Sequence, residues 1–318
     1  MAATQEKLSN KKPKKKWNNR KKREALWGLF FVSPFIIGFT FFLLGPMLFS
    51  LYGSFTNYNL TSKMDFIGLA NFQRMFTRDE LFWTSLYNTA YYVIFNVPLT
   101  TIGSIFLAVL LNRRIRGISL FRTIFYLPAV LSGVAVYVLW MQLLSPSTGL
   151  VNTLLAFIGI DGPSWLFDPN WTKPALILMR LWSVGGSMLL YLATLQNVPK
   201  QLYESAEIDG ANSFQQFLNI TLPMITPIIF YDIVSLHKPI GAFQIFQEAY
   251  VMTESGTAGP ANSLLFYNFH MWNKAFVAFD MGYAMAMSMI LFIIVLVLTF
   301  INLKIAPRWV HYGGGENV

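Results

Sequence analysis

YESAEIDGANSFQQFLNITLPMITP, residues 203–227, is a polar, helix-compatible stretch with strongly apolar sequence on both sides of it. It carries a carboxylate beside small residues (Glu204, Ser205, Ala206). Asp209, Gly210 and Ala211 follow, then an aromatic at Phe214 and Ile220-x-Leu222-Pro223. A segment this long and regular between two membrane spans does more than turn the chain. Pro199, just ahead of it, suits the first turn of a helix, where its missing N–H costs nothing. Gly210 lets that helix stop and a second begin at an angle. Small side chains beside Glu204 let another protein's backbone approach closely. The stretch reads as two short helices presented to a partner; the plainer alternative is an ordinary amphipathic surface loop.

The surrounding composition sets the class. Of 318 residues, 54% are hydrophobic, 16% aromatic and only 12% charged. Soluble domains average about 25% charged, so the chain reads as an all-α integral membrane protein. The absence of cysteine rules out disulfides and thiolate metal sites. A net charge of +9 would by itself suggest nucleic acid, but ten of the 24 Lys and Arg lie within residues 7–23. That distribution points away from a nucleic-acid partner. It suits an anchor on anionic membrane lipid or simply a topogenic tail. The apolar run behind the tail is too long for a cleaved signal peptide.

About 20 apolar residues span a bilayer as a helix, and six stretches qualify: 26–49, 83–111, 120–144, 175–195, 222–250 and 281–303. Pro34 and Pro46 should bend the first and Pro98 lies within the second, which membrane helices tolerate when neighbours re-satisfy the freed carbonyls. Outside the spans lie a basic tail at 1–25, an extramembrane segment at 54–82 and a short basic turn at 111–117. An interfacial loop with one short helix fits 145–174. A further loop lies at 197–221, another extramembrane segment at 253–280, and a short polar tail at 304–318. Counting Lys and Arg with the N-terminus inside gives seventeen on the inner side, five on the outer side, and Arg180 and Lys238 within spans. The positive-inside rule then makes both termini cytoplasmic, and residues 203–227 fall on that side too.

Catalytic signatures are missing. No G-x-x-x-x-G-K-[ST] phosphate loop and no G-x-S-x-G elbow occurs, and His237, His270 and His311 are scattered. The energy for any transport must come from another subunit.

Glu204-Ser205-Ala206, Gly210, Ile220 and Leu222-Pro223 closely resemble the EAA loop of binding-protein-dependent ABC importer permeases, with Ser205 in place of the central alanine. Asp65 to Phe76 resembles that family's F-x-G-L-x-N-F signature, and Gly149 with Asn152 the G-x-x-N of sugar permeases. Met252-Thr253 and Gly259-Pro260-Ala261-Asn262-Ser263 resemble T-x-G-G-P-x-x-x-T, with extra residues inserted. The resemblance covers essentially all of the chain after residue 25 and points to the carbohydrate branch, of maltose and glycerol-phosphate type. It implies the type I ABC importer permease fold, with six transmembrane helices in the bacterial plasma (inner) membrane. It also implies a second homologous permease subunit, two cytoplasmic ATPase subunits that bind ATP and Mg, and an external solute-binding protein. This chain would bind no cofactor and catalyse nothing. Its loop would be the coupling helix, with Glu204, Ser205, Ala206, Asp209, Gly210, Ala211 and Phe214 docked on an ATPase, and transport would proceed by alternating access.

Sugar recognition needs polar groups for hydroxyls and aromatic faces for ring C–H. Trp182 and Ser187, beside Gly185-Gly186, and Gln244 with Gln247 are candidates, against the alternative of helix–helix packing and hydrogen bonding. The fifth span is slightly longer than the family's usual spacing, with the surplus near Ser235-Leu236-His237-Lys238-Pro239-Ile240. A lysine at the bilayer centre costs at least about 2.5 kcal/mol unless it faces a partner or water, and Pro239 breaks the local helix. Lys238 is therefore a candidate for an acidic, uronate-containing oligosaccharide. Pairing with Asp232 is the structural alternative, and a neutral oligosaccharide or a glycerol-phosphate-like solute the functional one. Two other classes compete. One is a non-transporting assembly subunit. The other is a membrane enzyme built on Arg180, Asp232, His237 and Lys238, which form no recognised catalytic set.

Overall fold

A computed structural model describes residues 19–61, 63–113, 116–131, 133–234, 238–253 and 256–310. Most of the basic tail, His311 and the surplus residues Ser235, Leu236 and His237 lie outside them. The described residues are helical almost throughout, with one isolated antiparallel bridge between Thr56 and Phe66. They fall into two units, one ending at Tyr52 and the other beginning at Gly53.

In the first unit, α1 (Asn19–Gly38) runs through a wider π-turn (Phe39–Leu44) into α2 (Gly45–Gly53). Pro34 has no N–H to offer the carbonyl of Phe30, and Ser33 Oγ donates to that carbonyl at 2.8 Å instead. The π-turn lies directly ahead of Pro46, and the Gly45 N–H reaches back five positions to Thr40. Both prolines are thus absorbed, and Lys21–Gly53 is a continuous apolar helix long enough to cross a membrane.

The second unit contains α3 (Ala70–Thr77), α4 (Glu80–Leu111), α5 (Ile118–Val130), α6 (Gly133–Leu143), α7 (Leu150–Phe157), α8 (Pro169–Trp182) and α9 (Gly185–Leu195). After these come α10 (Lys200–Ile208), α11 (Ser213–Gln216), α12 (Leu222–Val234), α13 (Lys238–Phe243), α14 (Gln247–Met252), α15 (Tyr267–Trp272) and α16 (Met281–Ile305). Of these, α4 and α16 are each long and apolar enough to span alone, whereas α5 with α6 and α8 with α9 qualify only as bent pairs. With Lys21–Gly53 that makes three to five crossings by length and composition.

Single helices were expected over 120–144, 175–195 and 222–250, and the structure differs at each. The fourth bends by 45° between α8 and α9. The reason lies in packing, because a Cβ on Gly185 would stand 2.2 Å from the backbone oxygen of Phe125. Only glycine lets α9 come this close to α5. The helix also starts earlier than expected, at Pro169, where Asp168 accepts from the Asn170 N–H and caps it. The fifth is divided into α12, α13 and α14.

The centre of this unit is α4, which packs along α8, α9, α13 and α15. Its buried face is polar: Ser85, Asn88, Thr89, Tyr92, Asn96, Thr100 and Ser104 recur every three or four residues. Ile94, Phe95, Ile102 and Phe106 are exposed on other faces. A soluble helix would show the reverse. The stripe also seats the later segment. Asn88 Nδ2 donates to the carbonyls of Asn262 (2.9 Å) and Leu265 (3.1 Å), while Lys173 Nζ holds Asn88 Oδ1 at 3.0 Å. Asn71 clips the first extramembrane segment by donating to Ser54 O and Thr56 O. Asn152 clips 145–174 by donating to Pro146 O and Pro163 O and accepting from Trp165 Nε1 at 2.7 Å.

Candidate functional site

Where α4 meets α8, α9 and α13, the polar stripe and the bend between α8 and α9 border a cavity of about 250 Å³. Tyr92, Asn96, Thr100 and Ser104 line it from α4, and Arg180 and Ser183 from α8 and its end. Ser187 comes from α9, and Lys238 and Gly241 from α13. Thr100 Oγ1 donates to Asn96 O at 2.7 Å and Ser104 Oγ to Thr100 O at 2.6 Å, so both hydroxyls spend their protons on the helix and keep lone pairs.

Lys238 starts α13 at this cavity. Its ammonium pairs with Asp232 and donates to Thr101 Oγ1 at 3.3 Å. Asp232 is fully buried and also accepts from Ser187 Oγ at 3.0 Å and Tyr191 Oη at 2.6 Å. The alternative of a Lys238–Asp232 pair is therefore what the structure contains, joining α12 to α13. An ammonium has three N–H groups, and these partners take two, leaving one for the cavity. Arg180 pairs with buried Glu248 of α14. Arg180, Ser183 and Glu248 also line a neighbouring cavity of about 200 Å³. Arg180 thus lines both cavities, and Glu248 the second.

Ser187 and Lys238 meet in the cavity; the other three sequence candidates lie elsewhere. Trp182, at the end of α8, packs edge-on against Trp140 with ring centroids 5.9 Å apart. Gln244 follows α13, with its backbone carbonyl accepting from Asn268 Nδ2, and Gln247 opens α14; both are exposed. Gly185 serves close packing, while a Cβ on Gly186 would meet nothing. Sequence reasoning missed Tyr92, Asn96, Thr100 and Ser104, which a count of period 3.6 along 85–104 would have picked out. It also left Glu248 off the ionisable groups within spans. A larger cavity of about 980 Å³, among Val138, Met141, Leu166, Val251 and Met252, has no ionisable residue in its wall among the described residues.

The loop of residues 197–221 is built from local signals. Pro199 precedes α10, whose end is closed by the Gly210 N–H on Glu207 O (3.0 Å) and the Ala211 N–H on Ala206 O (2.8 Å). This Schellman arrangement needs a left-handed residue, and Gly210 has φ +79°. Asn212 and Gln215 cap α11 reciprocally, each side chain accepting from the other's backbone N–H at 2.9 and 2.8 Å. Tyr203 Oη meets Thr221 Oγ1 at 2.9 Å and ties the loop to the next helix. Glu204, Ser205 and Asp209 are exposed, and Ala206 and Ala211 half-buried. Ile208 and Phe214 stand 86% and 69% exposed, and Leu202 and Leu218 are exposed as well.

Comparison with known proteins adds the following. The family model for the binding-protein-dependent transport system inner membrane component matches residues 83–311. The probable ABC transporter permease protein YesP of Bacillus subtilis (strain 168) is 43% identical over 297 residues, covering 93% of this chain and 95% of that protein. The lactose transport system permease protein LacF of Rhizobium radiobacter is 37% identical over 281 residues, covering 86% and 92%. In the crystal structure of a bacterial alginate ABC transporter in complex with an alginate pentasaccharide-bound periplasmic protein, one chain matches with a TM-score of 0.77. It is 27% identical, with 93% of this chain and 98% of that chain covered.

Proposed function

The chain belongs to the binding-protein-dependent transport system inner membrane components, as a carbohydrate-uptake ABC importer permease, and on that premise we propose that it carries an acidic oligosaccharide. It is a multi-pass membrane subunit and not itself an enzyme, ATP being hydrolysed by partner ATPases. The observation that carries the acidic reading is the cavity of about 250 Å³ with two cations, Arg180 and Lys238, in its wall. Charge-assisted hydrogen bonds from such groups are roughly twice as strong as neutral ones. The likeness to a permease chain of a transporter that imports the acidic polysaccharide alginate supports the same reading.

In this reading the chain crosses the membrane six times, the divided α12–α14 region providing one crossing, with both termini cytoplasmic. It forms half of a translocation path with a second, homologous permease, and an external binding protein delivers the sugar. Residues 197–221 dock on an ATPase through Ile208, Phe214 and the small residues around Glu204. ATP and Mg stay on the ATPases, and this chain holds no cofactor. Closure of the ATPase pair draws the coupling loops together and rocks the spans from inward-open to outward-open. The bend at 183–184 suits such motion, since discontinuous helices put backbone groups and helix ends at the substrate path.

One observation favours a neutral sugar. Each cation already has a carboxylate, Asp232 for Lys238 and Glu248 for Arg180, and LacF is named for lactose. The experiment is binding-protein-dependent ATPase stimulation by alginate and galacturonan fragments against maltodextrin and arabinan fragments, in wild type and in Lys238→Gln. For an acidic substrate the variant needs about tenfold more uronate fragment for half-stimulation, one decade corresponding to about 1.4 kcal/mol, with neutral fragments unchanged. Equal loss for both classes makes Lys238 structural and the substrate neutral. Failure of the chain to co-purify with any ATPase would leave an assembly subunit.

A further inference from the structure

Asn96 is 8% exposed, and its side-chain Oδ1 has no hydrogen-bond partner. Buried polar atoms are satisfied in the great majority of cases, and an exception calls for a ligand, a water or a function. Asn96 lies in the wall of the cavity that Lys238 and Arg180 also line. Its own helix cannot satisfy it, because the neighbouring hydroxyls of Thr100 and Ser104 have already donated to backbone carbonyls. What would satisfy it is a donor brought in from the cavity.

We infer that Asn96 is a substrate contact whose side-chain amide takes a ring hydroxyl of the transported sugar. The inference rests on the cavity's being the sugar path, as proposed above. The chemistry fits from both sides. A primary amide offers an acceptor and two donors, and adjacent pyranose hydroxyls offer the complementary pair whichever way the amide is turned. The surroundings then divide the work. Lys238, with its remaining N–H, and Arg180 take a carboxylate oxygen, while Asn96 takes a hydroxyl, which neither cation can accept from. The cavity, at about 250 Å³, is smaller than the roughly 300–1,000 Å³ that encloses a drug-sized ligand. It would enclose about one sugar unit of the substrate, the unit that Asn96 meets.

A site that hydrogen-bonds a substrate hydroxyl discriminates far more steeply than an apolar pocket, because the unpaired buried group is left behind when the hydroxyl is absent. The test uses the assembled transporter with its ATPases and binding protein in proteoliposomes. Alginate, galacturonan, maltodextrin and arabinan trisaccharides are the probes, and the fragment that best stimulates wild-type ATPase is carried forward. Asn96→Leu should raise its half-stimulating concentration about tenfold or more. Asn96→Asp, which keeps an acceptor at the same place and adds negative charge, should penalise uronate fragments while leaving neutral ones near wild type. If the best fragment is neutral and Asn96→Leu still costs tenfold, the Asn96 contact stands and the acidic reading falls. Half-stimulation within twofold of wild type in both variants overturns the contact and assigns the amide to water, whatever Lys238→Gln does. Should Asn96→Leu fail to assemble, Asn96→Asp decides, since a structural asparagine would make both fragment classes suffer equally. A wild-type transporter that no fragment stimulates overturns both readings.

Discussion

Asp232 has no exposed surface, yet three donors from two elements end on its carboxylate: Ser187 and Tyr191 of α9 and Lys238 of α13. Removing one partner of a buried ion pair costs about 3–5 kcal/mol, mostly for stranding the other charge. Asp232→Asn should therefore destabilise the purified complex by about 3 kcal/mol, read as a fall in its denaturant unfolding midpoint. Adding Lys238→Gln should restore most of that loss, because the remaining groups are neutral and still able to hydrogen-bond one another. A double variant no more stable than Asp232→Asn alone would show that the pair is not what holds α13 to α12. Part of this was legible in the sequence. A lysine in an apolar run demands a partner, and Asp232 lies six positions away. Glu248 was not, because it stands at the far end of the same run, and only the folding of 222–250 into three short helices brings it to Arg180.

At the scale of elements, the segments that sequence placed well are those built from local signals. The loop of residues 197–221 owes its helices to Pro199, Gly210 and Asn212, each of which acts on its own neighbours. The bend between α8 and α9 owes its place to a partner distant in sequence, Phe125 against Gly185, and apolar counting does not register it. The contacts of α15 belong to this second kind. His270 Nε2 meets Asp79 Oδ2 at 3.1 Å at the start of α4, where Tyr283 Oη also donates at 2.6 Å and Lys274 Nζ lies 3.3 Å away. Burial alone would raise the Asp79 carboxyl, but the hydrogen bonds from Tyr283 and His270 and the nearby positive charge outweigh it and hold the pKa at about 2. Burial pushes the His270 imidazole below its ordinary 6.5, against the pull of Asp79. The signs follow from linkage. Below pH 6.5 the unfolded chain protonates this histidine before the folded one does, so stability falls as the pH drops through that range. Asp79 adds a second loss only between about pH 3.8 and 2. The unfolding midpoint should decline from pH 7 to pH 5, and His270→Gln, which keeps a donor to Asp79, should flatten that decline. An unchanged slope would place the acid sensitivity elsewhere.

For the whole molecule, sidedness is the property on which the proposed mechanism depends. Under the positive-inside rule, the seventeen-to-five partition of basic residues predicts both termini and residues 197–221 inside. Helix length and composition fix three to five crossings, and an even number is needed if both termini share a side. Counting the α12–α14 region, which holds Lys238 and the surplus residues, as a crossing gives six. The chain has no cysteine, so a single introduced thiol reports without background. Lys63→Cys and Ser164→Cys sit at exposed positions in two of the three segments assigned outside, and Ile208→Cys and Lys304→Cys at exposed positions assigned inside. Trp165 is a poor choice for labelling, since its indole donates to Asn152 and packs on Trp171. In intact cells an impermeant maleimide should modify the thiols at 63 and 164 and leave those at 208 and 304 untouched until the membrane is opened. If position 208 stays protected after opening while 304 labels, a bound partner covers the loop. Stripping the ATPase with a chaotrope should then expose it. Labelling at 208 from outside would instead put Ile208 and Phe214 out of reach of any cytoplasmic ATPase. The energy source would then have no point of attachment on this chain, however well Lys238 and Asn96 suit a sugar.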